Sequence, residues 1–408
     1  MHCLLIHQVF VGPENVGGSR HFELGCLLAK QGNEFSVVTS NLDYITGKPR
    51  AQGLPPGVDV SPGRIEVVQA WTPAVIHKSF VWRVLAFLTF MVTSVVQALK
   101  IHNVDLVMGT SPPIFQSVSA WFVALVKRRP FLFEVRDLWP EFAIDMGVLK
   151  NPLLIWISRR LEAFLYKRAQ HILVNSPAYR DYLLDKGIAD TKISVVPNGV
   201  DPREFEPNDR GAGYRGELGI PEDVFVAAYV GALGMANDIP TILRAAGRLK
   251  EVEPEIQFLI VGDGKERPTL EETVRRECLD NVRILGAVPK RRVPEVLAAA
   301  NVCLATLMDI PMFRTTYPNK VFDCMAAGRP IVLGIDGVIR KVVEDAGGGI
   351  FVQPGDDRAV ADAILQIHAD PTAADRMGGN ARAFVEEHFD RRQQSTAFVQ
   401  VLQNVAKA

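Results

Sequence analysis

One regularity limits the fold more than any other. Short apolar runs with strand spacing alternate with amphipathic helical stretches along most of the chain, and the alternation starts afresh once. The intervals between the apolar runs are too long for hairpins, so successive strands must pair in parallel with a helix crossing between them. Leu4–Val9 reads as the first strand. A loop with Gly12, Gly17 and Gly18 follows, then a helix over Ser19–Lys30, a stop at Gly32 and a strand at Phe35–Thr39. That is one βαβ unit. Further strands read at Ile65–Ala70, Asp105–Gly109, Phe131–Val135, His171–Asn175 and Ile193–Pro197. Pro197–Gly213 is rich in Pro, Gly, Asn and charge, and reads as a linker. The pattern then resumes with a strand at Val224–Val230, a Gly231–Gly234 loop, a Pro240–Lys250 helix, and strands at Phe258–Val261, Val282–Leu285, Asn301–Thr306 and Ile331–Leu333. After Gln353 only helix remains, ending with Gln393–Val405. A chain of 408 residues suits two cores better than one. The expected class is α/β, with two facing Rossmann-like, doubly wound parallel-sheet domains, 1–205 and 206–389. Each sheet then offers a crevice at the carboxyl ends of its strands.

The formal net charge of −1 gives no broad basic field, so nucleic acid is not an expected partner. The five cysteines form no Cys-x-x-Cys pair, and residues 1–10 read as a strand rather than a secretory leader. Both point to reduced thiols and a cytoplasmic location. Phe80–Leu99 is long and apolar enough to raise the question of a bilayer crossing. It carries Arg83 and a polar stripe of Thr89, Thr93, Gln97 and Lys100, and strand-like runs lie on both sides. If both runs belong to one sheet, a single crossing between them is impossible. The expectation is a helix packed on the sheet, with peripheral membrane contact through 80–100 as the open alternative.

Chemistry-bearing residues cluster at strand exits and helix starts. Tyr317–Pro330 reads as a short helix with Pro318 near its start and Gly328 just past its end. Free backbone N–H groups at such a start attract phosphate, and Lys320 adds a full charge. The carboxylate of Asp323, on the same face as Asn319, is placed to accept hydrogen bonds from two ribose hydroxyls. The plainer alternative is an ordinary Lys320–Asp323 surface pair. Glu134–Glu141 leaves an apolar strand with Arg136, Asp137 and Trp139. Arg136 would hold an anion and Asp137 would orient or deprotonate a hydroxyl; a structural Arg136–Asp137 pair with Trp139 in the core is the alternative. Gly231, Gly262, Ala287 and Val288 follow strands of the second half, where main-chain groups would meet a ligand. The Gly12–Gly18 loop lacks a full dinucleotide fingerprint, and Asp43 matches the expected acid only weakly. No His-Glu-x-x-His, paired-Cys or Asp-x-Asp spacing occurs, so no metal and no cofactor are expected.

Taken in order and spacing, Val16–Ser40, Val195–Pro207, Leu259–Arg267 and Tyr317–Val332 resemble the family 4 glycosyltransferases, which have the GT-B fold. Glu134–Glu141 and the run Thr110-Ser111-Pro112-Pro113 look similar to a bacterial subgroup that builds O-antigen and capsule and includes N-acetylfucosamine transferases. The resemblance implies transfer of a sugar from a nucleotide-sugar with retention of anomeric configuration. The C-terminal domain would bind the donor and the N-terminal domain a lipid-linked or glycan acceptor, at the inner face of the plasma membrane. The final helix, 390–408, would cross back onto the first domain. The family's ribose-binding acid falls on Asp323; Asn319 and Lys320 fall where the diphosphate or sugar is held, Pro318 beside them. Gly17 and Gly18 match the loop over the diphosphate, and Ala287 and Val288 the backbone beside the base. The sequence departs from the family at Thr315, where a sugar-contacting glutamate is usual, and at Ala232 and Asn237, where an Arg and a Lys usually bind phosphate. Arg136 stands where many members have a histidine. Arg314, Lys320 and Lys265 are the available replacements for the lost charge. A nucleotide-sugar epimerase and a non-catalytic scaffold of a polysaccharide assembly are the two rival expectations.

Overall fold

The structure, a computed structural model, describes residues 1–12, 19–42, 60–74 and 80–407. It contains two compact units, Met1–Pro197 with Arg392–Ala408 and Asn198–Arg391. The first runs β1 (His2–Ile6), α1 (Arg20–Lys30), β2 (Glu34–Ser40), β3 (Arg64–Ala70), α2 (Phe80–Lys100), β4 (Leu106–Ser111), α3 (Phe115–Lys127), β5 (Phe131–Val135), α4 (Glu141–Asp145), α5 (Pro152–Arg168), β6 (His171–Val174), α6 (Pro177–Asp185) and β7 (Ile193–Val195). Its seven strands lie in the order β3-β2-β1-β4-β5-β6-β7, all parallel. Central strands are buried on both faces, which is why β1, β4 and β5 are mainly apolar and do not alternate.

The second unit runs α7 (Ala212–Leu218), β8 (Val226–Val230), α8 (Ile239–Val252), β9 (Gln257–Val261), α9 (Arg267–Arg276), β10 (Val282–Leu285), α10 (Val293–Ala298), β11 (Val302–Thr306), α11 (Asn319–Ala326), β12 (Ile331–Gly334), α12 (Val338–Ala346), β13 (Gly349–Phe351), α13 (Asp357–Ala369) and α14 (Pro371–His388). Its six strands are ordered β10-β9-β8-β11-β12-β13, again parallel. The chain closes with α15 (Arg391–Lys407), whose Phe398, Val399, Leu402 and Val405 are buried among Leu5, Leu28 and Leu106 of the first unit. Both sheets therefore reverse strand order beside their first strand, between β1 and β4 and between β8 and β11. Loops diverge there and leave a crevice at the carboxyl edge.

The stretch read as a linker is not one. Residues 198–213 belong to the second unit. Phe205 is buried, and the guanidinium of Arg329, itself buried, donates to the carbonyls of Pro207 and Asp209 on one side and of Leu297 and Ala298 on the other. A polar, proline-rich composition here marks a segment held by its backbone carbonyls rather than by apolar side chains.

Candidate active site

In the second unit, α11 starts just beyond the end of β11, and its second residue sends a long side chain back across the strand ends. Lys320 Nζ donates to the Tyr229 hydroxyl at 3.1 Å, Asn237 Oδ1 at 2.7 Å and the Thr306 carbonyl at 3.2 Å. It also lies 4.6 Å from the Tyr229 ring centroid. Tyr229 belongs to β8 and Thr306 ends β11, so this ammonium stands at the strand-order reversal of the second sheet. Its three hydrogen-bonding partners are neutral oxygens. Burial pushes the Lys320 pKa down to about 7. The loop after β8 is fixed to the same place: Thr306 Oγ1 donates to the Asn237 carbonyl at 2.7 Å, and Met308 N to Ala236 O at 3.0 Å. The N-cap of α11, Pro318, makes no side-chain cap.

The surface pair Lys320–Asp323 does not form. Asp323 instead receives Lys290 Nζ on both carboxylate oxygens, each at 2.7 Å. Two of a carboxylate's roughly four acceptor positions remain for other donors. Gly231 and Gly262 approach one another: a Cβ on Gly262 would lie 1.8 Å from the Gly231 carbonyl oxygen. Ala287 and Val288 sit half-buried on the loop after β10. Arg314 is exposed and paired with Asp309 at 3.0 Å, Thr315 donates its hydroxyl to Met312 O at 2.5 Å, and Asn319 and Lys265 are exposed.

In the first unit, the centre of the carboxyl edge is Glu134, the fourth residue of β5 and wholly buried. It accepts from His21 Nε2 at 2.5 Å, Thr110 Oγ1 at 2.8 Å and Arg20 Nε at 3.3 Å. Burial pulls its pKa upward, but His21, Arg20 and Arg136 outweigh burial and hold it well below the usual carboxylate range. Burial lowers the His21 pKa, against the pull of the Glu134 charge and the hydrogen bond to it. Arg136 Nε donates to Thr110 Oγ1 at 3.0 Å and Ser111 O at 3.2 Å, and its Nη2 to His7 Nε2 at 3.2 Å. The alternative, an Arg136–Asp137 pair, does not form: the carboxylate nearest Arg136 is Glu134, at 3.8 Å. Asp137 is left with a pKa pushed up to about 6 by burial, offset in part by the Arg136 charge. Trp139 is half-buried against Phe115, ring centroids 5.6 Å apart.

Two family descriptions tile most of the chain: "Glycosyl transferase 4-like domain" over residues 17–199 and "Glycosyl transferases group 1" over residues 224–370. The chain belongs to the family-4-like glycosyltransferases. D-inositol 3-phosphate glycosyltransferase of Nocardioides sp. is 29% identical over 248 residues, 57% of this chain and 54% of that protein. The chain thus spans about half the length of the curated relatives it matches. Sucrose-phosphate synthase of Thermosynechococcus elongatus superposes with a TM-score of 0.80 at 20% identity, covering 99% of each chain. HepE of Anabaena, solved with UDP-glucose, gives 0.73 at 18% identity, covering 99% of this chain and 100% of that one. The fold is the two-unit, parallel-sheet fold of these glycosyltransferases, GT-B.

Within this glycosyltransferase, the second unit brings Lys320, Asp323 and the 231–237 loop to one sheet edge, with Arg314 and Thr315 on the segment before α11. Arg136 and Asp137 belong to the other unit. Gly17 and Gly18, like Asp43, lie outside the described residues. Two participants escaped the sequence reading. Lys290 lies in a Lys-Arg-Arg run that reads as solvated. Glu134 looks like an interruption of an apolar strand, and that interruption was the available signal, because a carboxylate inside such a strand must be paired.

Proposed function

We propose that this glycosyltransferase moves a sugar from a nucleotide-sugar, a UDP-sugar, to a hydroxyl of a lipid-linked glycan acceptor in cell-surface polysaccharide synthesis, with retention at the anomeric carbon. The observation that carries the reading is the Lys320 ammonium at the strand-order reversal of the second sheet, held by neutral groups and so unneutralised. HepE, solved with UDP-glucose, supports the donor class.

In this reading the donor diphosphate meets Lys320 and the uncapped start of α11, at Pro318 and Asn319, and the ribose diol donates to the free acceptor positions of Asp323. Ala287 and Val288 lie beside the base. Asp137 takes the acceptor's proton while Arg136 fixes the acceptor. The hydroxyl then attacks from the side on which the diphosphate departs, so no protein nucleophile is needed. Positioning and stabilisation of the leaving charge supply the rate, and the reading requires no metal. The place of action is the cytoplasmic face of the membrane. Among the described residues no helix is long and apolar enough to cross a membrane, so contact through residues 80–100 would be peripheral.

The test is transfer itself. A panel of UDP-sugars is offered with a lipid-linked acceptor, and the product linkage is read by NMR. Retained configuration is expected; inversion, or no transfer from any sugar nucleotide, defeats the reading. Donor alone should stay unchanged, and a new sugar formed without acceptor makes the chain an epimerase. Asp323→Ala should weaken UDP binding by calorimetry at least tenfold with the fold intact. Wild-type protein that binds no sugar nucleotide would favour the scaffold reading.

A further inference from the structure

One large apolar surface of the first unit has no partner among the described residues. α2, α3 and α5 lie side by side: Ser119 Oγ donates to the Met91 carbonyl at 3.0 Å, and the Trp121 and Phe164 rings meet edge-on at 4.8 Å. α2 buries Ala86, Phe90, Ser94 and Ala98, yet turns Leu85, Leu88, Val92 and Val96 to solvent. A surface helix normally places charge on that face. Phe122, Leu125 and Val126 extend the apolar surface on α3, and Leu153, Leu154, Trp156 and Ile157 on α5. Trp156 is 56% exposed. Among the described residues, the second unit exposes only Met235 and Val252 of this class, so the apolar surface is local rather than a general property of the chain.

The exposed charges that these three helices and their ends carry have one sign. Glu162, the lone acid on these three helices, is buried and taken by Lys186 and the hydroxyls of Tyr166 and Tyr182. Lys100 ends α2, Arg128 and Arg129 follow α3, and Arg160, Lys167 and Arg168 stand exposed on α5. Arg160 lies over the Trp156 ring at 5.3 Å. A second copy of the chain would bring this cationic rim against itself, which is unfavourable for a two-fold interface. An anionic surface of low polarity beneath its charges matches both features.

We propose that α2, α3 and α5 form a plate that docks on anionic phospholipid, with the Leu153–Ile157 end of α5 as its deepest point. The plate reaches the crevice of the first sheet: Glu141, just beyond Asp137, accepts from Arg159 Nε and Nη2 of α5, each at 2.9 Å. A lipid-borne acceptor would therefore be delivered beside Arg136 and Asp137. The docking deepens the acceptor reading above but does not need it, because it is measured without substrate.

Flotation of the full chain with vesicles tests it, using phosphatidylcholine alone and phosphatidylcholine with 30 mol% phosphatidylglycerol. At least tenfold tighter binding to the anionic vesicles is expected, weakened by salt. A Leu153→Glu, Trp156→Glu double variant should lose at least tenfold while its thermal midpoint and UDP affinity stay at wild-type values. Absence of binding, binding indifferent to lipid charge, or an unaffected double variant overturns the proposal. So does a concentration-dependent dimer that the same two substitutions disperse, which would give the plate to a second copy.

Discussion

Lys320 shows how much of a site one side chain can carry. Its ammonium has lost most of its water and gained neutral oxygens from Tyr229, Asn237 and Thr306, so its pKa falls to about 7. A lysine has an ordinary value of about 10.4. Between these values the folded chain holds fewer protons than the unfolded one, so this residue's contribution to stability rises with pH across that window and is least below pH 7. An arriving diphosphate reverses the shift. Binding of UDP at pH 8 should therefore take up between about half and one proton, measured by calorimetry in buffers of different ionisation enthalpy. Lys320→Ala should abolish the uptake and lower turnover by roughly 10²–10³. Proton-neutral binding in the wild type would remove Lys320 from the phosphate. The same geometry accounts for Asn237: a lysine there would set a second ammonium against the first. Asp137 is the corresponding group in the first unit. Its pKa is pushed up to about 6; if Asp137 is the base, as proposed, its ionised form does the work and turnover should fall as pH drops through 6. Asp137→Asn should cost about 10²–10⁴ in kcat and erase that limb of the profile. Lys320 was legible in the sequence because a helix start advertises itself. Its cage was not, because Tyr229 and Thr306 meet it only once β8 and β11 are neighbours.

At the scale of elements, Glu134 joins three of them. Through it β5 is bound to α1 by His21 and Arg20, and to β4 by Thr110; Arg20 goes on to donate to the carbonyls of Val196 and Pro197, each at 2.9 Å. Removing the charge takes from Arg20 and His21 the buried carboxylate that both of them meet. Glu134→Gln should destabilise the chain by about 3–5 kcal/mol, read from urea midpoints at pH 7. The pH dependence has a definite sign. A carboxylate held below its ordinary value stabilises fully above about pH 4.3 and loses that contribution as pH falls toward its folded value. The wild type should therefore lose stability below pH 4 more steeply than Glu134→Gln, and parallel curves would mean that folding does not lower the pKa of this carboxylate. Most elements could be read from periodicity, since strands buried on both faces and crossing helices leave distinct patterns. Residues 198–213 could not, because their order comes from Arg329 holding main-chain oxygens, which composition does not reveal. β13 escaped for a related reason: Gly349–Phe351 is only three residues long and half-buried.

For the whole molecule, the restart of the strand–helix pattern was the most legible feature, and the path of the chain between units gives it a physical consequence. The second unit is an insertion whose entry and exit are joined: Val200 N donates to Phe389 O at 3.1 Å, and Arg391 N to Val200 O at 2.8 Å. Its core is built from its own strands and from α8 and α13. Residues 198–391 expressed alone should therefore unfold cooperatively. UDP at one hundred times its dissociation constant should add about 2.7 kcal/mol, a rise of roughly 5–10 °C in Tm for a domain of this size. The first unit has no such independence. Without residues 392–408 it loses Phe398, Val399, Leu402 and Val405 from its core. At about 1.5–3 kcal/mol each, their burial amounts to about 6–12 kcal/mol, as much as the whole stability of an ordinary domain. The truncated first unit should be unfolded by circular dichroism, while the same unit with 392–408 restored through a flexible linker should fold. A second unit that folds but ignores UDP would separate the architecture, which would stand, from the placement of the donor on α11, which would not.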